Sequence, residues 1–216
     1  MHVADLDINY FPPAPPCNSL SSDRGAIEYH AGLLHRLAAG CSGHLVLTPI
    51  VEGFPPRPQR FMIGRVDRMV AAIMAYDGVP GVNLYAGYHT MRHNLEPGKR
   101  GGERDVEWVL AGVVDVDNDA GKGGQAEIPL AASYVVSSSP GNFQCVYIFP
   151  KPLTACEAKP VLAALHAAIG GDVGQKDIAH VWRIPGTLNW PSKSKLARGR
   201  SPEPARVTIV RRPDNG

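Results

Sequence analysis

The sequence predicts an α+β domain, on three observations. Segments of strand length recur along the chain, three segments with helical periodicity are interspersed among them, and no internal repeat organises the whole. The chain has 216 residues, 44% of them hydrophobic, which suits one domain with a real core. Its 23 glycines and 20 prolines promise many turns without reaching the share that marks low complexity. A formal net charge of +2 excludes a strongly basic nucleic-acid coat or an acidic tail, but not a basic groove.

The elements follow in order. Phe11-Pro12-Pro13-Ala14-Pro15-Pro16, followed by Ser19, Ser21 and Ser22, reads as an extended arm over 1–22, because proline fixes φ and removes a donor. The remainder, 23–216, reads as a single domain. Ser22 or Asp23 is placed to cap a first helix. Ile27, Ala31, Leu34 and Ala38 give that helix its apolar face, and Gly40 ends it. His44 to Val51 reads as a strand and Phe54-Pro55-Pro56-Arg57-Pro58 as a loop. A second helix is predicted over Val66 to Tyr76, with Val70, Ile73 and Met74 on one face and Gly78 as terminator.

Val82 to Tyr88 is a predicted strand, and the glycine-rich segment Arg92 to Glu103 a loop. Its Arg92, Lys99 and Arg100, with Arg104 beside them, either track a phosphate backbone or form a solvated basic loop. Trp108 to Val116 is an apolar run of strand length that leads into acids, followed by the turn Gly121-Lys122-Gly123-Gly124. Tyr134 to Ser138 and Phe143 to Phe149 read as two strands joined by Ser139-Pro140-Gly141-Asn142. Thr154 and Glu157 have capping-box spacing for a third helix, whose Pro160 predicts a kink or a late start and which Gly170-Gly171 ends. Val181 to Ile184 and Arg206 to Val210 are two further short strands.

Cys17, Cys41, Cys145 and Cys156 form no Cys-x-x-Cys pair, which argues against a zinc ribbon or a thioredoxin-like motif. The chain opens without a basic start or an apolar run, and no stretch approaches the ~18 apolar residues of a membrane span. The expectation is a reduced, cytoplasmic protein with no membrane partner.

Three motifs carry chemistry. In Val113-Val114-Asp115-Val116-Asp117, strand alternation turns Asp115 and Asp117 to one face. Adjacent carboxylates repel, and a hard divalent cation relieves the repulsion. Alone, the pair also fits an acidic strand end running into a turn, and glycosyltransferases and phosphatases carry similar pairs. In Ser137-Ser138-Ser139-Pro140-Gly141-Asn142-Phe143-Gln144, hydroxyls and exposed amides would present donors to phosphate oxygens, or else form an ordinary hairpin loop. In Arg183-Ile184-Pro185-Gly186-Thr187-Leu188-Asn189, a strand places an arginine before a tight turn. Arginine suits bidentate phosphate binding, though a salt-bridged surface arginine would look the same.

Taken together, the order and spacing of these motifs resemble the archaeo-eukaryotic primase superfamily, in its primase-polymerase and plasmid RepB-like branch. The resemblance covers roughly residues 80–210, with Leu84-Tyr85-Ala86-Gly87-Tyr88 matching the strand that precedes the acidic one. It implies an RRM-like catalytic sheet packed with an amino-terminal α/β part. It implies metal ligation of Mg²⁺ or Mn²⁺ by Asp115 and Asp117, with a third acid from Asp172 or Asp177. Asp172, directly after Gly170-Gly171, fits the family position slightly better. Ser138, Ser139, Asn142, Gln144, Arg183 and Asn189 would meet the nucleotide. Gln144 stands where many members have histidine; an amide still donates but carries neither charge nor a transferable proton. His180 is read as structural.

The implied activity is template-directed nucleotidyl transfer that makes primers on single-stranded DNA for a plasmid, phage or other mobile element. Nucleoside triphosphates would be substrates, and two metal ions would activate a 3′-hydroxyl and stabilise the leaving pyrophosphate. Arg92, Lys99, Arg100, Lys193 and Lys195 are the DNA-binding candidates, with Trp182, Trp190, Tyr88 and Phe143 for stacking. No Gly-x-x-x-x-Gly-Lys-Ser/Thr motif is present, so unwinding would need a helicase partner or a further domain. The rival readings are a metal-dependent phosphodiesterase or nuclease, and a non-catalytic DNA-binding initiator module.

Overall fold

The computed structural model describes residues 20–117, 132–169 and 177–213. Most of the amino-terminal arm, the glycine turn at 121–124 and the segment holding Asp172 lie outside that range.

Helix α1 (Arg24–Leu37) starts at Asp23, whose carboxylate accepts the Ala26 N–H at 3.1 Å. Strand β1 (His44–Val51) has the predicted bounds and turns back into β2 (Gln59–Met62), a short strand of two polar and two apolar residues that the sequence did not reveal. Helix α2 (Val66–Met74) buries Met69, Val70 and Ile73. The predicted strand over 82–88 is two elements, β3 (Val82–Ala86) and β4 (His89–Met91), broken at Gly87. A Cβ at Gly87 would lie 1.9 Å from the His89 ring, so only glycine lets that imidazole fold back there.

Strand β5 (Val106–Asp117) is the long central strand, and β6 (Tyr134–Ser139) and β7 (Asn142–Leu153) form the expected hairpin. Their turn is Pro140-Gly141, with Gly141 at φ 79°, as a type II turn requires. Helix α3 (Ala155–Ile169) starts directly after Thr154 and carries Pro160 inside, so of the two expectations, a kink or a late start, the late start is corrected. The capping box explains the firm start. Thr154 N–H donates to Glu157 Oε2 at 2.8 Å, and Glu157 N–H donates back to Thr154 Oγ1. Short strands β8 (Trp182–Arg183), β9 (Leu188–Asn189), β10 (Ala205–Arg206) and β11 (Thr208–Arg211) follow, with a small unpredicted helix α4 (Lys193–Ala197).

Among the described residues nine strands form one antiparallel sheet in the order β11-β6-β7-β5-β4-β1-β3-β8, with β2 on β1. The amino-terminal α/β part and the β5–β7 part therefore share one sheet, joined where His44 of β1 meets Met91 of β4. One core gathers α1 and α2 with Leu84, Val113, Tyr134, Val136, Val146 and Ile184, so strands from both ends of the sheet pack on the same helices. On the opposite face α3 covers β5, where Gly112 leaves room for Leu162 and Leu165. The separate ribbon β9–β10 packs on β3 through one strand and on β6 through the other. It thereby ties together two strands that lie far apart in the sheet order.

No helix among the described residues is long and apolar enough to cross a membrane, and Cys41, Cys145 and Cys156 are free thiols.

Candidate active site

The site is built on the end of β5. In the β5–β7 register Asp115 pairs with Gln144 and Asp117 with Asn142, while Gln144 also pairs with Val136 of β6. Residues directly opposite share a face, with Cβ atoms about 4.5–5.5 Å apart. Asp115 and Gln144 therefore stand side by side, on the face whose deeper positions, Val113 and Val146, belong to the α1 core. Asp115 is half-buried. Gln144 is only 5% exposed, and its Oε1 is buried without a hydrogen-bond partner.

The hairpin differs from the expectation of exposed amides. Ser138, Ser139, Asn142 and Asn189 are all buried, because the tight turn folds their polar groups onto one another. Asn142 Nδ2 donates to Ser139 Oγ at 2.9 Å, and Ser138 Oγ donates to the Asn142 carbonyl at 3.4 Å. Asn189 Nδ2 donates to the Ser138 carbonyl, stitching the third motif to the second. These groups shape the loop, and within this set Gln144 and Asn189 keep a buried amide oxygen without a partner.

Arg183 is positioned by β3. In the β3–β8 register it pairs with Tyr85, and its guanidinium lies 4.9 Å above the Tyr85 ring. Arg183 Nη1 donates to Asn83 Oδ1 at 2.7 Å. Burial pushes the Arg183 pKa below the ordinary arginine range; the Tyr85 hydroxyl and the Asp115 carboxylate oppose that shift, and the Arg200 charge adds to it. Arg183 therefore feels Asp115 although their strands are distant in the sheet. The β9–β10 ribbon supplies the physical reason, since it draws the β3–β8 edge toward β6. The turn after Arg183 is equally fixed. Gly186 donates to the Val207 carbonyl and accepts the Asp23 N–H, each at 2.7 Å, which docks the motif on the start of α1.

Asn83, Tyr85 and Arg200 are the neighbours of Arg183 that motif reading left without a role. For Asn83 and Tyr85 the available signal was their place in the strand before the acidic one.

Asp177 opens the described segment 177–213. It is exposed, its Oδ1 accepts the Ala179 N–H at 2.8 Å, and it lines a pocket with Tyr88, His89, His180 and Trp182. The His180 ring packs 4.4 Å from that of Trp182, and burial lowers its pKa against the opposing pull of Asp177. Asp172 and the Asp117 side chain lie outside the described residues. Among the described residues no group of three or more His, Cys, Asp or Glu is placed to hold a metal ion.

The DNA-binding candidates fall on two surfaces. Arg92 pairs with Asp105 at 2.7 Å, and Arg100 Nη1 donates to the Ala179 carbonyl at 2.5 Å. The loop between them is clamped by Arg60, which donates to the carbonyls of Leu95, Glu96 and Lys99. Lys193 and Lys195 lie on α4, where the Lys193 N–H meets Glu52 Oε2 at 2.9 Å. Two stacking candidates are corrected. Tyr88 and Trp182 are 3% and 7% exposed and belong to the core, whereas Phe143 and Trp190 are half-buried.

Comparison with known proteins bears on the family and the fold. Residues 114–209 match the family model described as the RepB DNA-primase N-terminal domain. The AEP domain of the cyanophage S-2L primase-polymerase superposes with a TM-score of 0.55 at 16% identity, covering 86% of this chain and 89% of that one. The primase RepB′ superposes at 0.53 with 13% identity over 86% of this chain, which spans 56% of that protein. The catalytic domain of RepB′ in complex with initiator DNA gives 0.52 at 14% identity over 88% and 86% of the two chains. No curated protein sequence matches. The RepB-like part of the resemblance is borne out over residues 114–209 by the family model, and the α+β fold implied by the archaeo-eukaryotic primase superfamily is borne out by the solved structures.

Proposed function

We propose that this RepB-like primase domain is catalytic. It would join nucleoside triphosphates on a single-stranded DNA template, making primers for the replication of a plasmid, phage or similar element. The observation that carries the reading is convergence: the Asp-x-Asp strand end lies in register with Gln144 of the second motif, and Asn189 of the third motif donates to the Ser138 carbonyl of the second.

The donor set suits a hard cation. Asp115 and Asp117 occupy successive same-face positions of β5, and the unpartnered Gln144 Oε1 adds a neutral oxygen next to Asp115. Asp115 and Asp117 would hold Mg²⁺ or Mn²⁺, with Asp172 as the third acid. A bound divalent pair in this chemistry lowers the pKa of the attacking hydroxyl and neutralises charge on the phosphates. The chain's own residues do the rest. Arg183, braced by Asn83 and Tyr85, offers its remaining N–H groups to a phosphate oxygen. The tied hairpin 137–142 gives Gln144 a rigid seat, so its amide orients the ligand without supplying a proton. Lys193 and Lys195 on α4, near Trp190, would hold the template backbone, with Arg92, Lys99 and Arg100 on a second surface.

The experiment is incubation of the protein with single-stranded DNA, Mn²⁺ or Mg²⁺ and labelled nucleotides, with and without a primer. Templated products that start without a primer support the reading. Shortening of the DNA without any need for triphosphate would make the protein a nuclease, and binding without turnover would make it an initiator module.

A further inference from the structure

The Asn83 carboxamide holds two residues assigned to different ligands. Its Oδ1 accepts from Arg183 Nη1 at 2.7 Å and from the Trp190 N–H at 2.8 Å, and its Nδ2 donates to the Trp190 carbonyl at 3.1 Å. Both lone pairs of one oxygen are thus shared between a guanidinium and a peptide group. The two bonds to Trp190 satisfy its backbone much as a neighbouring strand would. Trp190 is half-buried and follows directly on β9, while Arg183 belongs to β8.

We propose that Asn83 is a positioning residue that couples the two ligands of the cleft, so that a triphosphate on Arg183 and a single-stranded base stacked on Trp190 favour each other's binding. The inference rests on the primase reading above. Its physical basis is the shared acceptor: a shift or loosening of one donor changes the geometry open to the other. A ligand that immobilises Arg183 also immobilises Asn83, which lowers the ordering cost that remains for Trp190. Linkage requires the reverse effect to be equal.

The test is calorimetric titration of the chain with a non-hydrolysable nucleoside triphosphate in Mn²⁺ at fixed salt, with and without saturating oligothymidylate. In the wild type the oligonucleotide should tighten triphosphate binding by about fivefold or more. In Asn83→Ala that ratio should fall to about one. Asn83→Asp keeps the acceptor for Arg183 and loses the donor to the Trp190 carbonyl; it should also lower the ratio, and it serves if the alanine variant does not fold. Triphosphate alone should change tryptophan emission in the wild type and leave it unchanged in Asn83→Ala. An unchanged ratio in folded variants, or a ratio of one in a wild type that binds both ligands, overturns the coupling alone. A wild type that binds no triphosphate overturns the primase reading, and the coupling with it.

Discussion

Arg183 offers the one charged fork within the three motifs, and its setting decides what it can contribute. A charge-assisted hydrogen bond contributes more than a neutral one, and losing one partner of a buried pair costs roughly 2–5 kcal/mol. Arg183→Ala should therefore weaken triphosphate binding far more than Gln144→Ala, and Gln144→His should be tolerated. Titration of the three variants in Mn²⁺ at fixed salt checks this; equal affinity for wild type and Arg183→Ala would make the arginine purely structural. The acids divide in a similar way. Asp177 is exposed, caps its own turn and faces His180, so Asp177→Asn should damage incorporation less than Asp172→Asn. Comparable loss in both variants, measured as nucleotide incorporated per unit time, would contradict that ranking. These residues were legible as motif members, but their states were not. Asn142 looked like an exposed donor, yet its amide bonds to Ser139 within the hairpin, and the Asn189 amide is spent on the Ser138 carbonyl across from β9.

At the scale of elements, the docking of the Pro185-Gly186 turn on α1 makes the sharpest prediction. Gly186 has φ 87°, and a Cβ there would lie 2.4 Å from the Asp23 carbonyl oxygen and 2.8 Å from Ile27 Cγ1. Gly199 has a similar φ of 84° with nothing near its Cβ position. Both alanine variants carry left-handed strain of about 1–2 kcal/mol, and only Gly186→Ala adds a clash with backbone. Its thermal midpoint should fall by roughly 4–8 °C more than that of Gly199→Ala, for an added cost of about 2 kcal/mol. Equal midpoints would mean that the turn does not bear on α1. Elements with strong local signals were readable: β1 from its apolar run, the β6–β7 hairpin from Pro140-Gly141, and α3 from Thr154 and Glu157. Strands β2 and β4 have four and three residues and owe their form to pairing with β1 and β5, which no local pattern announces. The stitch from Asn189 to the Ser138 carbonyl was hidden for the same reason, since it depends on β9–β10 bridging two distant strands.

The whole molecule buries histidines in its neutral interior, which sets its response to acid. Burial drives the pKa of both His30 and His89 down to about 3 from the ordinary 6.5, with Arg100 and His180 adding to the effect at His89. Between those values the unfolded chain binds protons that the folded chain refuses. Stability is therefore fully present above pH 6.5 and is lost as pH falls toward 3. Each group contributes about 1.4 kcal/mol per pH unit inside that window, so the pair should lower unfolding free energy by roughly 4 kcal/mol from pH 7 to pH 5. Denaturant titrations at the two pH values check the slope, and His30→Gln or His89→Gln should flatten it. The sheet that encloses these histidines also carries the acidic strand end, so activity and fold must be measured separately. The most direct measurement is primer-independent incorporation of labelled nucleotides on single-stranded DNA by the wild type and by Asp115→Asn, with circular dichroism and DNA binding recorded for both. Metal positioning supplies most of the rate in this chemistry. The wild type should make short products that vanish on chelation, and Asp115→Asn should make none while keeping its fold and its DNA affinity. Full incorporation by Asp115→Asn with Mg²⁺ present, or none by the wild type under any metal, would contradict the account.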